Sequence, residues 1–532
     1  MKMHIAKRVE QRMVKVIDVF AGPGGLSEGF SAVREEQGRN FFDIAISIEK
    51  EKYAFETLRL RTFLRQFESD YPPEYYEFLK SNYTLNELYT LYPKEGDLAS
   101  IKCWNATLGP EGVKVEDVRV KLNEVIKNAN NLVLIGGPPC QAYSLVGRSR
   151  NHKNSNYDPN KDERQRLYVD YLQILADYRP SIFVMENVKG LLSATLNSEN
   201  MFARILEDLE DPVTALIREG RDTRNRESLG YNIFSLKTGK LLNEKTRKDA
   251  IIKSELYGIP QSRHRIILIG LRTDFRTLEI PYLKKQGPVN LSSVITDLPK
   301  LRSGISDIPD TGKNWKELIS KTCCVLNYRK IQNNLDDSIA LVHFMKSILS
   351  ELEIPRGGRG SEYIPRRSHT VYKSEWFNDP KLEGVCNHTT RTHLSGDLLR
   401  YFYVSCFGIV FRRSPNLADF PIELLPNHSN VSRAIESKNT FLDRFRVQLN
   451  YKPCTTIVSH ISKDGHYYIH PDPQQCRSFT VREAARVQTF PDNYFFVGPR
   501  TAQYIQVGNA VPPLLAYQIG EIVMRILRNN EA

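Results

Sequence analysis

The sequence lacks the features that would place the chain in a membrane or outside the cell. No apolar run in its 532 residues approaches the length of about 20 residues that spans a bilayer. The stretch at residues 14–17 is too short and too interrupted for the apolar part of a signal peptide. The eight cysteines form no CxxC pair and no regular framework, which argues against a disulfide scaffold. We therefore expect a soluble, cytoplasmic protein with reduced thiols.

Long polar or low-complexity stretches are also missing, and the histidines show no metal-ligand spacing, so we expect a globular protein without a bound metal. What the sequence does have is positive charge, with 74 Lys plus Arg against 62 Asp plus Glu and a formal net charge of +12. A charge of this sign suits a polyanionic partner, because each neutralised phosphate releases a counterion. A basic surface that only maintains solubility is the alternative.

Short β-branched runs alternate with helical patterns in the first half of the chain, which indicates an α/β fold with a largely parallel sheet. Strands are predicted at residues 14–20, 44–48, 132–135, 181–185 and 265–271. From about residue 277 the alternation fades, so we predict three parts: a catalytic and cofactor-binding domain over 1–276, a second domain over 277–476, and a return to the first domain over 477–532. Residues 56–95 and 190–245 are interpreted as insertions.

Polar signatures follow the predicted strands, where open α/β sheets bind their ligands. The turn Gly22-Pro23-Gly24-Gly25 lets a ligand approach the backbone next to a helix N-terminus. Glu49, at the end of the next strand, is suited to bind ribose hydroxyls. Because the pattern is not GxGxxG, a dinucleotide site and a purely structural turn both stay open.

Cys140 follows the rigid segment Gly136-Gly137-Pro138-Pro139 at a strand end. A buried structural cysteine is the usual alternative. A thiol presented by a polar, rigid loop instead favours a nucleophile.

Glu186 and Asn187 end an apolar strand, where a carboxyl group is costly unless it is paired or used. A helix cap or an ion pair would explain them equally well. Gln261, Arg263 and Arg265 alternate along an extended segment and share one face; exposed strand cations are the alternative.

Taken in order, these segments resemble the DNA cytosine-5 methyltransferase family of the stand-alone restriction-modification type. The matching pieces are DVFAGPGGLSEGF from Asp18, Glu49, Gly96-Asp97-Leu98, GGPPCQAYS from Gly136, MENV from Met185, YGIPQSRHRIILIG from Tyr257, TVREAARVQTFP from Thr480 and QVGNAVPP from Gln506. The resemblance covers about 14–275 and 478–532, and implies a Rossmann-like, S-adenosylmethionine-dependent methyltransferase domain with a smaller target-recognition domain.

The resemblance also implies a mechanism. Cys140 would attack carbon 6 of a flipped-out cytosine, and Glu186, next to Asn187, would hydrogen-bond at N3. Arg263 would face the flipped base, while Arg265 would hold the loop or a phosphate.

The implied cofactor is S-adenosylmethionine, with the glycine-rich turn around its methionine part, Glu49 on the ribose, and Asp97 with Leu98 on the adenine. The residues implied to form its pocket are Phe20, Ala21, Gly22, Gly24, Gly25, Leu26, Glu49, Asp97, Leu98, Pro139, Leu167, Asn509 and Val511.

Double-stranded DNA is the implied partner, bound by a monomer that acts alongside a cognate restriction endonuclease. The residues predicted to contact DNA are Gln141, Ser144, Gln261, Arg356, Arg359, Arg366, Arg367 and Arg391. A tRNA cytosine-5 methyltransferase is the nearest alternative, because that branch has the same core motifs. A regulatory DNA-binding protein without catalysis, and an NAD enzyme, are the alternatives from other classes.

Overall fold

The computed structural model describes residues 13–68, 70–109, 112–127, 129, 131–139, 163–196, 199–224, 229–275, 277, 279–322, 335–426 and 443–531. Cys140, Gln141 and Ser144 lie outside the described residues. The strands are β1 (Val14–Val19), β2 (Phe42–Glu49), β3 (Cys103–Asn105), β4 (Leu132–Gly136), β5 (Ile182–Val188), β6 (Thr195–Leu196), β7 (Glu199–Asn200), β8 (Tyr231–Ser235), β9 (Ile251–Lys253), β10 (Gln261–Ser262), β11 (His264–Arg272), β12 (Gly304–Ile305), β13 (Gly360–Pro365), β14 (Gly384–Thr389), β15 (Thr392–His393) and β16 (Cys454–Thr455). The helices are α1 (Gly25–Ser31), α2 (Lys52–Arg65), α3 (Pro73–Leu79), α4 (Leu85–Leu91), α5 (Pro93–Lys102), α6 (Val115–Val125), α7 (Glu163–Tyr178), α8 (Met201–Glu210), α9 (Pro212–Arg218), α10 (Ser292–Ile295), α11 (Gly312–Ser320), α12 (Leu335–Ser350), α13 (Ser374–Phe377), α14 (Ser395–Phe411), α15 (Val481–Val487), α16 (Arg500–Asn509) and α17 (Pro513–Glu531).

Eight strands form one central sheet in the order β3-β2-β1-β4-β5-β11-β8, and β9 pairs with the start of β11. Strands β1 to β5 run parallel, whereas β11 is antiparallel to β5, β8 and β9. The β-branched runs of β1 and β4 are almost wholly buried, as interior strands of a parallel sheet are. The α/β class is confirmed, and all five predicted strands are present within a few residues of their predicted ends.

Helices cover both faces of the sheet, which therefore has a separate apolar core on each side. On one face α17 packs against α1, which is glycine-containing and can approach closely. The stretch Arg500–Asn530 is long and apolar enough to cross a membrane, but it consists of α16 and α17, and 67% of its most apolar window is buried. It is thus a core element, and α17 packs on the first domain as predicted.

Four helices, α2 to α5, separate β2 from β3 and account for the insertion predicted at 56–95. Their own core includes Phe63, Tyr75 and Leu79 together with Leu382 and Cys386 of the second domain. The insertion therefore packs against both the sheet and the second domain.

The second domain contributes to two cores. One lies within 305–476 and is formed largely by α14 and its neighbours. The other joins α10 and residues 454–468 to residues 479–510. Thr480 and Glu483 form the capping box predicted for α15, in which each side chain accepts a hydrogen bond from the other residue's backbone N–H.

Candidate active site

The glycine-rich turn after β1 is built from alternating left-handed residues. Phe20, Gly22 and Gly24 have φ values of 55°, 58° and 96°, a region that glycine enters without strain. A Cβ on Gly22 would meet nothing within 4 Å, whereas one on Gly24 would lie 3.1 Å from the Tyr494 hydroxyl. The open side of the turn is therefore at Gly22, where its backbone is accessible to a ligand beside the start of α1.

Glu49 and Asn105 lie side by side where β2 and β3 end. Asn105 Nδ2 donates to the Glu49 carbonyl oxygen at 2.9 Å. The Glu49 carboxylate accepts the backbone N–H groups of Gly22 at 2.7 Å and Glu51 at 2.8 Å. Burial raises the pKa of Glu49, and these N–H groups oppose the rise. A carboxylate fixed in this way can accept further hydrogen bonds from the hydroxyls of a ligand.

Asp97 and Leu98, predicted to meet the adenine, do not lie at a strand end in the structure. Both lie inside α5, and Asp97 is exposed. The rest of α5 and all of β3 lie between Asp97 and the position where β3 ends. Asn105, with buried Ala106 after it, occupies the strand-end position instead. The sequence feature that indicates Asn105 and Ala106 is the pair of apolar residues at 103–104, which is followed by an amide side chain.

The C-terminal segment closes the same edge of the sheet. A Cβ on Gly25 would lie 2.2 Å from the Val511 carbonyl oxygen, so only glycine lets α1 approach that segment. Asn509 ends α16 and is exposed, whereas Val511 is buried. Leu167 of α7 is buried, and its Cδ2 is 3.2 Å from the position of a Cβ on Gly109. Most of the predicted cofactor residues thus belong to neighbouring strand ends and helix ends.

Buried ion pairs between Glu28 and two arginines of α2 anchor helix α1. Glu28 accepts hydrogen bonds from Arg61 at 2.6–3.1 Å and from Arg65 at 3.1 Å. Burial alone would raise the pKa of Glu28, but the two arginines lower it to about 2. Arg61 Nη1 also donates to Asn493 Oδ1 at 3.2 Å, and Asn493 Nδ2 donates to Asp379 Oδ2 at 2.8 Å. Continuous polar contacts therefore connect α1 to the second domain.

Asp18 in β1 is wholly buried, and burial raises its pKa to about 7. In the folded state it keeps a proton that an unfolded aspartate loses near pH 4. Its contribution to stability is therefore complete below about pH 4 and is lost as the pH rises to about 7. We expect Asp18→Asn to raise the free energy of unfolding by about 2–4 kcal/mol at pH 8 and to change it little at pH 4.

Urea unfolding at the two pH values measures this difference, with exposed Asp117→Asn as the matched control. An equal effect of Asp18→Asn at both pH values would contradict the raised pKa.

Glu186 lies beside the loop that leads to Cys140. Gly137 is three positions before Cys140 in the sequence. A Cβ on Gly137 would lie 3.3 Å from Glu186 Oε2. The next side chain, Asn187, donates from Nδ2 to the Pro138 carbonyl oxygen at 3.4 Å and is buried. Pro139 is the last described residue of this loop. The carboxylate and the start of the cysteine loop are therefore neighbours.

Arg265 forms an ion pair with Glu186, with Nε 3.0 Å from Oε1 and side chains that are 18% and 14% exposed. The antiparallel register places Arg265 opposite Val188 and Ile267 opposite Glu186. Arg265 and Glu186 are thus diagonal neighbours on one face of the β5–β11 pair. Their partial exposure leaves both groups within reach of a ligand.

Arg263 has a different environment from the one predicted. It is buried, and its Nη1 donates to the carbonyl oxygens of Ile457 at 2.8 Å and Gly508 at 3.3 Å. Burial and the positive charge of Arg265 lower the pKa of Arg263 to about 9, against the opposing effect of Glu186. Arg265 therefore adjoins the carboxylate, and Arg263 ties the start of β11 to residue 457 and to α16.

Gln261 is not available to DNA, contrary to the prediction. It is fully buried, donates to Gln488 Oε1 at 2.9 Å, and accepts the Ile457 N–H at 2.7 Å. This residue fixes the second domain against the segment that carries the two arginines.

Two of the arginines predicted to contact DNA, Arg366 and Arg391, are also buried. Arg366 is 8% exposed and pairs with Asp492 at 2.7 Å. Arg391 is 7% exposed, donates to the Lys463 and Ile461 carbonyl oxygens, and lies over the Tyr504 ring. Neither can reach a phosphate without breaking these contacts.

The other three arginines stay candidates. Arg359 is half-buried and pairs with Asp310 at 3.1 Å. Arg356 and Arg367 are exposed, and their contact with DNA is still a prediction.

Comparison with known proteins gives one consistent result. A model of the family described as C-5 cytosine-specific DNA methylase matches residues 85–212 and 226–525. Type II methyltransferase M.Bpa9945I of Bacillus paralicheniformis is 32% identical over 97% of this chain and 99% of its own. Type II methyltransferase M.DdeI of Desulfomicrobium norvegicum is 26% identical over 97% of this chain and 90% of its own. Among solved structures, the Entamoeba histolytica methyltransferase EhMeth aligns with 97% of this chain and 99% of its own at 13% identity and a TM-score of 0.42.

Proposed function

The chain belongs to the C-5 cytosine-specific DNA methylase family, and from that membership we propose that it is the modification enzyme of a type II restriction-modification system. We propose Cys140 as the nucleophile and Glu186 as the carboxylic acid that hydrogen-bonds to the target cytosine. The family reaction transfers a methyl group from S-adenosylmethionine to carbon 5 of cytosine in DNA. The proposal adds the residues that perform it and the biological role. The role rests on the names of the two relatives, both of which are type II methyltransferases.

The observation that supports the catalytic assignment is the position of Glu186 Oε2, which would lie 3.3 Å from a Cβ added to Gly137. A carboxyl group therefore adjoins the described start of the segment that leads to Cys140. Attack of the Cys140 thiolate on carbon 6 pushes the electron pair of the 5,6 double bond toward carbon 5. The Glu186 carboxyl, hydrogen-bonded at N3, stabilises the charge that develops in the ring, and Arg265 holds that carboxyl in position. Carbon 5 would then take the methyl group as the bond between that group and the cofactor sulfur breaks. Loss of the carbon-5 proton to water would re-form the 5,6 double bond and expel the thiolate from carbon 6.

The residues that would hold S-adenosylmethionine fit it by their chemistry. Gly22 offers an open backbone, and Glu49 offers a fixed carboxylate for the ribose hydroxyls. Asn105, beside Glu49, would be the polar group next to the adenine in place of Asp97, and Asn509 and Val511 would complete the pocket from the C-terminal side. When bound, the cofactor supplies an electrophilic methyl group.

We assign the target-recognition role to residues 277–476, and we propose that the protein acts as a monomer on duplex DNA in the cytoplasm. The target carbon is inaccessible in a stacked duplex, so the cytosine must be extruded into the site. A cognate restriction endonuclease is the functional partner that the proposed role implies.

A trapping assay tests the proposal. The full-length protein and Cys140→Ser are incubated with S-adenosylmethionine and pools of duplex DNA or RNA containing 5-fluorocytosine. Fluorine cannot leave as a proton does, so we expect a covalent band with wild-type protein on DNA and none with Cys140→Ser. Sequencing the trapped DNA gives the recognition site.

A band on RNA alone would transfer the protein to the tRNA alternative. The absence of any band, with cofactor binding demonstrated, would contradict catalysis through Cys140.

A further inference from the structure

A cleft lies within residues 405–471 of the second domain, and none of its lining residues belongs to the proposed catalytic site. One wall is the end of α14, from Ser405 to Arg412, and the other is the segment 447–451 with Pro471. Its floor is tightly packed, because a Cβ on Gly408 would lie 2.8 Å from Val447 Cγ1.

The side chains at the cleft offer hydrogen-bond donors over an apolar floor. Arg412, Asn450 and Tyr451 line it together with the partly exposed Ile409, and no lining residue that the structure describes is acidic. The Arg412 guanidinium lies 4.6 Å from the centre of the Tyr451 ring, which orients it without neutralising it. The Lys452 ammonium is 5.6 Å from the same ring, and the residue is exposed.

Arg412 differs from the next residue, Arg413, in whether a carboxylate neutralises its charge. Arg413 is neutralised by two hydrogen bonds to Asp419, at 2.8 and 2.7 Å. Among the described residues, Arg412 forms no ion pair with a carboxylate. Arg412 also has a φ of 54°, which turns the chain sharply at the end of α14.

The turn that carries Tyr451 is fixed by its backbone rather than by its side chains. The Lys452 N–H donates to the Leu449 carbonyl oxygen at 3.2 Å, and the carbonyl oxygens of Asn450 and Lys452 accept from Ser292 and Leu291. Backbone hydrogen bonds therefore hold the turn that carries Asn450, Tyr451 and Lys452, which reduces the entropy cost of binding a ligand there.

The cleft is close enough to the catalytic edge for one DNA molecule to reach both. Thr455 pairs with Ser262 in the β10–β16 ladder, just before Arg263. Tyr451 and Thr455 are four positions apart in the sequence, so their Cα atoms are at most about 14 Å apart. This distance is less than one turn of duplex DNA, about 34 Å.

We propose that this cleft binds the sugar-phosphate backbone of the DNA substrate, with Arg412 and Lys452 on a phosphate and Ile409 against the sugar. The inference rests on the proposed function. It assigns a DNA contact that the sequence did not indicate, in place of the buried Arg366 and Arg391. A phosphate carries no sequence information, so the cleft contributes affinity to any duplex.

Binding of the full-length protein to labelled duplexes, measured by fluorescence anisotropy over a range of salt, tests the inference. We expect Arg412→Gln to weaken binding about three- to tenfold on the trapped sequence and on unrelated duplexes alike. The slope of log affinity against log salt should fall by about one. At saturating DNA the kcat should stay at the wild-type value while KM rises.

Arg413→Gln is the matched control, since it removes the same charge from the adjacent residue. The inference is overturned if the two variants have the same affinity and salt slope, or if free deoxynucleotide binds the cleft while Arg412→Gln leaves DNA affinity unchanged. Adduct formation on 5-fluorocytosine DNA separates this failure from failure of the proposed function, because the adduct requires Cys140 and not Arg412.

Discussion

Glu186→Gln is expected to lower the rate of methyl transfer about a thousandfold, with little change in DNA affinity. The carboxyl group adjoins the Cys140 loop and is paired with Arg265. Glutamine has the same shape and keeps a hydrogen bond to Arg265, but it cannot supply a proton at N3 of the cytosine. The loss therefore falls on the transition state, where the ring carries charge, and not on the bound ground state. Single-turnover methylation measures the chemical step, and anisotropy on the same duplex measures binding.

Glu255→Gln is the matched control for this change. Glu255 lies at the same edge of the sheet but pairs with His264 at 2.7 Å, on the other side of β11. We expect its loss to leave the chemical step within a few-fold of wild type. Equal losses of rate and of DNA affinity in Glu186→Gln would instead assign Glu186 a structural role.

The central sheet could be predicted from the sequence because its signals are local. Runs such as LVLIG are apolar at every position, and an interior parallel strand needs no partner to be recognised. The turn at Gly22–Gly25 was equally local, since left-handed residues demand glycine. The capping box of Thr480 and Glu483 was read from residues three positions apart.

The errors concern side chains whose partners are distant in sequence. Arg366 was predicted to meet DNA because it lies in a basic, loop-like stretch, but Asp492 neutralises it from 126 positions away in the printed sequence. Arg263 was assigned to the base by motif alone, and its burial depends on Ile457 and Gly508. Asp97 was placed at a strand end because the only local signal of β3 is the two-residue apolar step at 103–104, which is too short to predict a strand.

The different environments of Arg263 and Arg265 give opposite expectations for their variants. Arg265→Ala should reduce kcat at least a hundredfold, because Glu186 loses the group that orients it, while the partly exposed pair contributes little to stability. Arg263→Met should instead lower the free energy of unfolding by about 2–4 kcal/mol, because it leaves two buried carbonyl oxygens without their donor. Urea unfolding and single-turnover kinetics on both variants separate the two effects.

Arg265→Lys extends this comparison, since it keeps the charge but not the planar donor group. We expect partial recovery of kcat relative to Arg265→Ala if orientation of Glu186 is the function of Arg265. If an Arg263 variant folds with wild-type stability and yet loses the chemical step, Arg263 faces the base. Its contacts with Ile457 and Gly508 would then not be its main role. Because Arg263 joins Ile457 to Gly508, its replacement should also weaken cofactor binding through the adjacent Asn509, which the Arg265 variants should leave unchanged.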